Sequence, residues 1–160
     1  RRDRLVWLGD GNNVTTSLAS LAGVLGMRFT VSTPPDRRPD PGVMKAASER
    51  AGREGGELLY EPDPKLAVRD AAFLYTDVWV SMGEETEVED RHRKLAPYQV
   101  NDRLLAAAPA GARVLHCGPA HRGEEVTAEV IDGEHSLFHQ QAENRLHAQK
   151  AILEAVVVDG

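Results

Sequence analysis

Short apolar runs that alternate with helical patterns are the feature that most restricts how this chain can fold. Residues 5–8 form a continuous apolar run that ends in Gly9-Asp10-Gly11, and such a run is typical of a strand buried on both faces. Apolar residues then recur with helical spacing until Gly26, where the helix is expected to end. A chain that repeats this alternation builds a parallel sheet with helices on both faces.

The alternation continues along the rest of the chain. The sequence predicts further strands at 28–32, 58–60, 72–76 and 113–116, a sixth short strand at 136–139, helices at 42–55, 64–70 and 101–108, and a closing helix at 143–157 with Leu146, Leu153 and Val157 on one face. Residues 81–97 are predicted to be a polar loop and helix face, in which Gly83 permits a mobile lid. The expected fold class is α/β, a three-layer α/β/α Rossmann-like domain with a mostly parallel sheet of about five strands.

Composition narrows the function classes. The 160 residues are expected to form one domain, 1–160, and the net charge of −6 argues against a nucleic-acid partner, which needs a basic face. No apolar run has the roughly 18 residues of a membrane helix, so no membrane partner is expected. A single cysteine cannot form an internal disulfide, and the cytoplasm is the predicted location. Because the chain begins at Arg1, we expect it to be an excised part of something longer.

The turn after the first strand is the first candidate site. A helix that begins at Asn12 or Asn13 offers free backbone N–H groups to an anion. The pattern is not G-x-G-x-x-G, because Val14 stands at the third position, so a nucleotide site is disfavoured. The alternative is a tight turn with an asparagine cap, and from the spacing alone this alternative is favoured.

A second candidate site follows the fourth strand. Asp77, Ser81 and Gly83 place a carboxylate, a hydroxyl and a glycine turn at a strand end, where they could hold an ammonium group and form a hinge. The alternative is a buried aspartate bonded to backbone amides, with Trp79 in the core. The spacing does not decide between the two.

The segment after the fifth strand carries the only cysteine. His116, Cys117 and His121 are metal ligands by residue type, but a second cysteine is lacking and Pro119 lies inside the loop, so no metal is predicted. Cys117 as a covalent nucleophile would need an activating base in contact with it.

Five motifs occur in the order found in ornithine carbamoyltransferases, and this chain resembles that family over nearly its whole length. The motifs are Gly9-Asp10-Gly11-Asn12-Asn13, Asp77-Val78-Trp79-Val80-Ser81-Met82-Gly83, Tyr98-Gln99-Val100-Asn101, His116-Cys117-Gly118-Pro119-Ala120-His121-Arg122-Gly123-Glu124-Glu125-Val126 and Glu143-Asn144-Arg145-Leu146-His147-Ala148-Gln149-Lys150.

The resemblance implies the second, ornithine-binding domain of a two-domain enzyme. The family's carbamoyl-phosphate-binding domain carries a Ser-x-Arg-Thr-Arg loop and a His-Pro-x-Gln element, and neither occurs in this sequence. The implied reaction transfers the carbamoyl group of carbamoyl phosphate to the δ-amine of L-ornithine, giving L-citrulline and phosphate, without a cofactor and as part of arginine biosynthesis. The full-length enzyme is expected to be a homotrimer, and the isolated chain inactive. The alternatives are a catalytically incomplete amino-acid-binding fragment, or a related carbamoyltransferase that acts on another amine.

The resemblance also implies roles on the ornithine side of the site. Asn13, with Asn12 beside it, matches the asparagine that contacts the amino-acid backbone of ornithine. Asp77 matches the aspartate that pairs with a substrate ammonium, and Ser81 and Met82 match the mobile loop that closes over ornithine.

Catalytic roles follow by the same match. Cys117 corresponds to the cysteine near the reacting amine, where carboxylate and thiolate can accept a proton. His116 and Arg145 correspond to residues on the carbamoyl phosphate side, where a developing oxyanion needs donors. Gly118 departs from the family, which usually has leucine there; glycine removes an apolar wall next to the carbamoyl group and adds flexibility.

Overall fold

A five-stranded, fully parallel sheet forms the centre of the molecule. The computed structural model describes residues 3–80 and 88–158. The strands are β1 (Arg4–Leu8), β2 (Arg28–Ser32), β3 (Glu57–Tyr60), β4 (Ala71–Thr76) and β5 (Arg113–His116). Their order across the sheet is β3-β2-β1-β4-β5, and all four pairings are parallel.

Helices connect the strands and close the chain. They are α1 (Asn13–Leu25), α2 (Pro41–Arg53), α3 (Pro64–Ala67, continued by a 3-10 turn at Val68–Asp70), α4 (Val88–Leu95, followed by a 3-10 turn at Ala96–Tyr98), α5 (Asp102–Leu105), α6 (Ala128–Ile131) and α7 (Phe138–Val157). None of the helices in the described residues has the length and apolar character needed to cross a membrane.

Both faces of the sheet are covered, which confirms the predicted three-layer α/β/α fold. On one face, Trp7 of β1 packs in a cluster with Ala19 and Ala22 of α1 and with Ala47 of α2. On the other face lies a second cluster, whose buried residues are Val6, Leu8, Ala67, Val68, Ala71, Leu74, Val100, Leu104, Ala112, Val114, Val126, Val130 and Ile131. Successive residues of β1 therefore alternate between two cores, as the continuous apolar run predicts.

The sixth strand predicted at 136–139 is wrong. Ser136 makes only an isolated bridge with Val114, and α7 begins at Phe138, five residues before the predicted start. The Ser136 hydroxyl accepts the backbone N–H of Phe138, and this local bond favours the start of a helix over a strand.

Two smaller differences concern short helices. The helix predicted at 101–108 ends at Leu105, and the backbone then forms turns as far as Ala108. α6 was not predicted from the sequence; only four residues long, it gives too short a stretch for helical periodicity to show.

The apolar face predicted for the closing helix is exposed in this chain. α7 has no buried residue, and Leu146, Leu153 and Val157 are all open to solvent. Only the first turns of α7 lie against the sheet, near β5.

Candidate active site

Three strand ends meet at one edge of the sheet, and the predicted site residues follow directly after them. Leu8 of β1 pairs with Thr76 of β4, and Thr76 pairs with His116 of β5. From β1 the chain continues to β2 on one side of β1, and it later adds β4 on the other side. The carboxyl ends of the neighbouring strands β1 and β4 therefore form a topological switch point. Ligands of open α/β sheets bind in the crevice at such a point.

The turn after β1 is fixed by a close approach of two backbones. A Cβ atom at Gly11 would lie 2.3 Å from the Pro39 backbone nitrogen, so only glycine fits. Asn12 then caps α1: its Oδ1 accepts the N–H groups of Val14 (3.0 Å) and Thr15 (3.1 Å). The predicted asparagine cap is thus confirmed.

Asp10 serves the turn rather than the crevice. Its Oδ2 accepts a hydrogen bond from Arg91 Nη1 at 2.5 Å and lies 3.4 Å from Arg37 Nη1. The same Arg91 nitrogen reaches the Trp79 carbonyl oxygen, so α4 is tied to the ends of both β1 and β4.

Asp77 is the centre of the site. Its Oδ2 accepts Asn12 Nδ2 at 3.1 Å, and its Oδ1 accepts the Val78 N–H at 2.8 Å and the Cys117 thiol at 2.9 Å. Residues that follow three different strands therefore converge on one partly buried carboxylate. The bond from the Val78 N–H and the burial of Trp79 agree with the alternative of an aspartate bonded to backbone amides, although Asp77 is only partly buried. That Asp77 holds an ammonium group stays a prediction.

Cys117 is a thiol at neutral pH. Burial, together with the hydrogen bond to the Asp77 carboxylate and its negative charge, raises the pKa of Cys117 to about 12. The resemblance suggested a thiolate beside the amine, whereas this environment keeps the proton on sulfur and leaves Asp77 as the acceptor of the pair.

This protonation state predicts slow alkylation of the only cysteine. In the folded chain at pH 8, iodoacetamide should modify Cys117 at least about 100-fold more slowly than in the chain unfolded by guanidinium chloride, because thiolate is the reactive form. The rate in the folded chain should still increase above pH 10. Folding raises this pKa from 9.0, so the stabilising contribution is complete below pH 9 and is lost as the pH rises toward 12. Equal rates in the folded and unfolded chains would contradict the assignment.

Tyr75 and Gln141 belong to the site although the sequence did not single them out. Gln141 of α7 accepts the His116 N–H through Oε1 at 3.0 Å and donates Nε2 to the Tyr75 hydroxyl at 2.8 Å. Burial, and next the nearby Cys117, raises the pKa of Tyr75 to about 12, so its hydroxyl stays neutral. These bonds join residues 25 and 66 positions apart, a distance at which no local sequence signal exists.

Arg145 lies one helical turn beyond Gln141. Residues four apart share a helix face, so Arg145 is on the side of α7 that reaches the strand ends. Its side chain is exposed, and it makes no hydrogen bond or ion pair within residues 3–80 and 88–158. An exposed guanidinium group without a partner can bind an anionic ligand through its N–H donors.

His116 is buried, and its ring is engaged on both sides. Its Nε2 lies 3.0 Å from Glu125 Oε1, and its Nδ1 accepts the Gly118 N–H at 2.8 Å. The Phe138 ring packs nearly perpendicular to the same ring, with centroids 6.1 Å apart. In this structure neither ring nitrogen faces the crevice as a free donor.

Gly118 adopts a backbone conformation that favours glycine. Its φ is +73°, and a Cβ atom there would lie 3.2 Å from Phe138 Cε2.

We predict that Gly118→Ala lowers the free energy of unfolding by about 1–2 kcal/mol, measured by urea denaturation. Gly52→Ala is the matched control, because a Cβ atom at that helical position meets nothing within 4 Å. It should leave stability unchanged or raise it by up to about 1 kcal/mol. Equal losses in both variants would contradict this reading of Gly118.

Of the predicted site residues that the structure describes, Asn13 does not join this network. Asn13 opens α1 beside Asn12 with an exposed side chain, and it is Asn12 that reaches Asp77. Ser81 and Met82 lie outside the described residues.

One group of possible metal ligands occurs within the described part of the chain. Donor atoms of His121, Glu124 and Glu125 all lie within 4.8 Å of one another. Glu125 Oε1 already accepts the His116 ring and the His121 backbone N–H, while the His121 side chain is exposed. We assign no metal to this group, because these hydrogen bonds already occupy Glu125 Oε1.

Comparison with known proteins gives one consistent family. Residues 2–156 match the family described as aspartate/ornithine carbamoyltransferase, Asp/Orn binding domain. The ornithine carbamoyltransferase of Methanothermobacter thermautotrophicus is 52% identical over 156 residues, which are 98% of this chain and 52% of that protein. The protein of the same name from Archaeoglobus fulgidus is 51% identical over 149 residues, covering 93% of this chain and 47% of that protein.

Solved structures agree with the sequence relatives. The ornithine carbamoyltransferase from Pyrococcus furiosus superposes with a TM-score of 0.91 at 47% identity, over 96% of this chain and 49% of that one. The enzyme from Gloeobacter violaceus gives a TM-score of 0.87 at 48% identity, over 96% of this chain and 50% of that one. The chain spans about half the length of the curated relatives it matches.

Proposed function

This chain belongs to the aspartate/ornithine carbamoyltransferase family, and on that premise we propose that it is the ornithine-binding half of an ornithine carbamoyltransferase. The complete enzyme transfers the carbamoyl group of carbamoyl phosphate to the δ-amine of L-ornithine and releases L-citrulline and phosphate. A role in arginine biosynthesis and a cytoplasmic location are part of the same proposal.

The observation that carries the proposal is the Asp77 carboxylate at the switch point. It is held by Asn12, by the Val78 N–H and by the Cys117 thiol, and it remains partly open to solvent. A fixed carboxylate in a crevice is a suitable partner for an ammonium group of a diamino acid, because charge-assisted hydrogen bonds are stronger in such a setting.

The protonation states of the site fit an amine nucleophile. The δ-amine must lose a proton before its lone pair can attack the carbonyl carbon of carbamoyl phosphate. Cys117 holds its own proton at neutral pH, so on this side of the site Asp77 is the acceptor and the thiol donates to it. Cys117 would thus orient the carboxylate and contact the amine without being a thiolate.

The other site residues would contact ornithine on one side of the site and carbamoyl phosphate on the other. Asn13 would contact the amino-acid backbone of ornithine, and the segment with Ser81 and Met82 would close over the bound ornithine. Gly118 would present loop backbone to the carbamoyl group, and Arg145 would donate hydrogen bonds to the phosphate. His116 would hold the loop after β5 in place on the same side of the site.

The complete site needs a second, carbamoyl-phosphate-binding half. This chain spans about half of its relatives, and the apolar residues of α7 are uncovered in it. We therefore infer that the other half packs on part of this helix and that the isolated chain is inactive. The family resemblance implies that the complete enzyme is a homotrimer.

The test is a two-half enzyme, in which this chain follows the part of the Archaeoglobus fulgidus relative that it does not match. With ornithine and carbamoyl phosphate this protein should form citrulline, measured colorimetrically, whereas the isolated 160-residue chain should not. Calorimetry of the isolated chain with ornithine and norvaline separates the alternatives. Binding without turnover in the two-half enzyme would indicate an amino-acid-binding fragment. Turnover with another amine, and none with ornithine, would indicate a changed acceptor, for which Gly118 is the first candidate cause.

A further inference from the structure

The carboxylate of Glu125 is buried next to the site, yet the reaction outlined above makes no use of it. It is fully buried, and its Oε1 accepts hydrogen bonds from His116 Nε2 at 3.0 Å and from the His121 backbone N–H at 2.6 Å. Burial by itself raises the pKa of Glu125, but the hydrogen bonds from the His116 ring and the backbone together lower it by more. The net shift is therefore downward, and the carboxylate is ionised. A buried charge is retained at such a position only when its partners are fixed.

The hydrogen bonds of His116 determine where its ring proton lies. The Gly118 N–H donates to Nδ1 at 2.8 Å, so Nδ1 carries no proton while this bond exists. The proton of the neutral ring is then on Nε2, which faces Glu125. The ring is thus a rigid connection between a buried carboxylate and the backbone of the loop after β5.

The fixed backbone group belongs to the peptide that joins Cys117 and Gly118. In a trans peptide the carbonyl points away from the N–H, so fixing the Gly118 N–H also fixes the Cys117 carbonyl on the opposite side. No group in the described residues donates a hydrogen bond to this oxygen, which leaves it free to accept one from a ligand. The Cys117 side chain is held by the same segment against Asp77.

We propose that Glu125 is a positioning residue: through the Nε2–H tautomer of His116, it fixes the Cys117–Gly118 peptide that faces the reacting amine. The inference rests on the proposed function, since it concerns the same site. It also gives His116 a specific way of acting, through the loop backbone rather than through a ring nitrogen offered to the substrate.

The first experiment examines the tautomer in the unaltered 160-residue chain. Long-range ¹H–¹⁵N correlation spectra of histidine-labelled protein should show His116 protonated on Nε2 and unprotonated on Nδ1. The signals of exposed His139 and His147 in the same spectra serve as internal references for solvent-accessible rings. A proton on Nδ1 of His116, or rapid exchange between tautomers, would overturn the proposal. This measurement does not depend on the enzyme being active.

The second experiment compares two variants of the two-half enzyme. Glu125→Met keeps a similar volume without an acceptor, and it should lower kcat by about 10- to 100-fold with a smaller change in KM for ornithine, because the reacting groups lose their alignment. Glu125→Gln keeps an acceptor oxygen and should retain kcat within a few-fold. If the Met variant fails to fold, the Gln variant and the tautomer spectra decide.

The outcomes separate this inference from the proposed function. If the unaltered two-half enzyme makes no citrulline, the function fails, and the tautomer spectra still test the positioning. If that enzyme is active and the folded Met variant keeps full kcat, the positioning role is refuted. A Gln variant as impaired as the Met variant would also refute it, because the argument requires an acceptor at Oε1 rather than a charge.

Discussion

Asp77→Asn should lower the affinity of this site for ornithine by about 30- to 1,000-fold, the equivalent of about 2–4 kcal/mol. Asparagine has nearly the same shape but no charge, so an ammonium group loses its ionic partner. Its amide N–H₂ also meets donors already in place, since Asn12, the Val78 N–H and the Cys117 thiol all donate to the present carboxylate. Because the carboxylate also accepts the proton of the amine in our proposal, kcat of the two-half enzyme should decrease as well.

Calorimetry with ornithine and the citrulline assay measure these two effects separately. Asp102→Asn is the matched control: this exposed carboxylate lies in the first turn of α5, far along the chain from the strand ends that form the crevice. It should leave both affinity and kcat unchanged. Unchanged ornithine affinity in Asp77→Asn, in a variant that unfolds at the same urea concentration as the unaltered chain, would refute the role given to Asp77.

The sheet was predictable because its signals are local. The apolar run of β1, the glycine turn and the Asn12 cap of α1 lie next to one another in sequence, and each acts through its immediate neighbours. The same holds for the placement of Asp77 and Cys117, because the carboxyl ends of parallel strands share one edge. Strand order then brings the two side chains within 2.9 Å.

The remaining site residues act across the fold and leave no local signal. Gln141 reaches Tyr75 and the His116 backbone from α7, whose start overlaps the strand that the sequence predicts at 136–139. The bond between Ser136 and Phe138 at this start is not visible as periodicity. Glu125 belongs to the motif that begins at His116, but nothing in its sequence neighbours shows that it is fully buried. The protonation of Cys117 likewise depends on burial and on Asp77, which only the folded chain supplies.

Arg145→Ala should reduce kcat/KM of the two-half enzyme for carbamoyl phosphate by about 100- to 1,000-fold. Its guanidinium group lies on the face of α7 that also carries Gln141, and it has no partner in the described residues, so its donors are available to an anion. The isolated chain should keep its stability within about 0.5 kcal/mol, because the side chain is exposed and unpaired. A loss of activity without a loss of stability is therefore the expected signature.

Two further variants make the Arg145 result specific. Lys150 lies about 140° around the same helix from Arg145, so Lys150→Ala should leave kcat/KM within about two-fold. Arg145→Lys keeps the charge but loses the planar pair of donors, so it should restore only part of the activity. If Lys150→Ala and Arg145→Ala lost equal activity, the effect would belong to the packing of α7 against the other half rather than to a contact with phosphate. If Arg145→Lys were fully active, charge alone would suffice at this position, and a bidentate contact would be excluded.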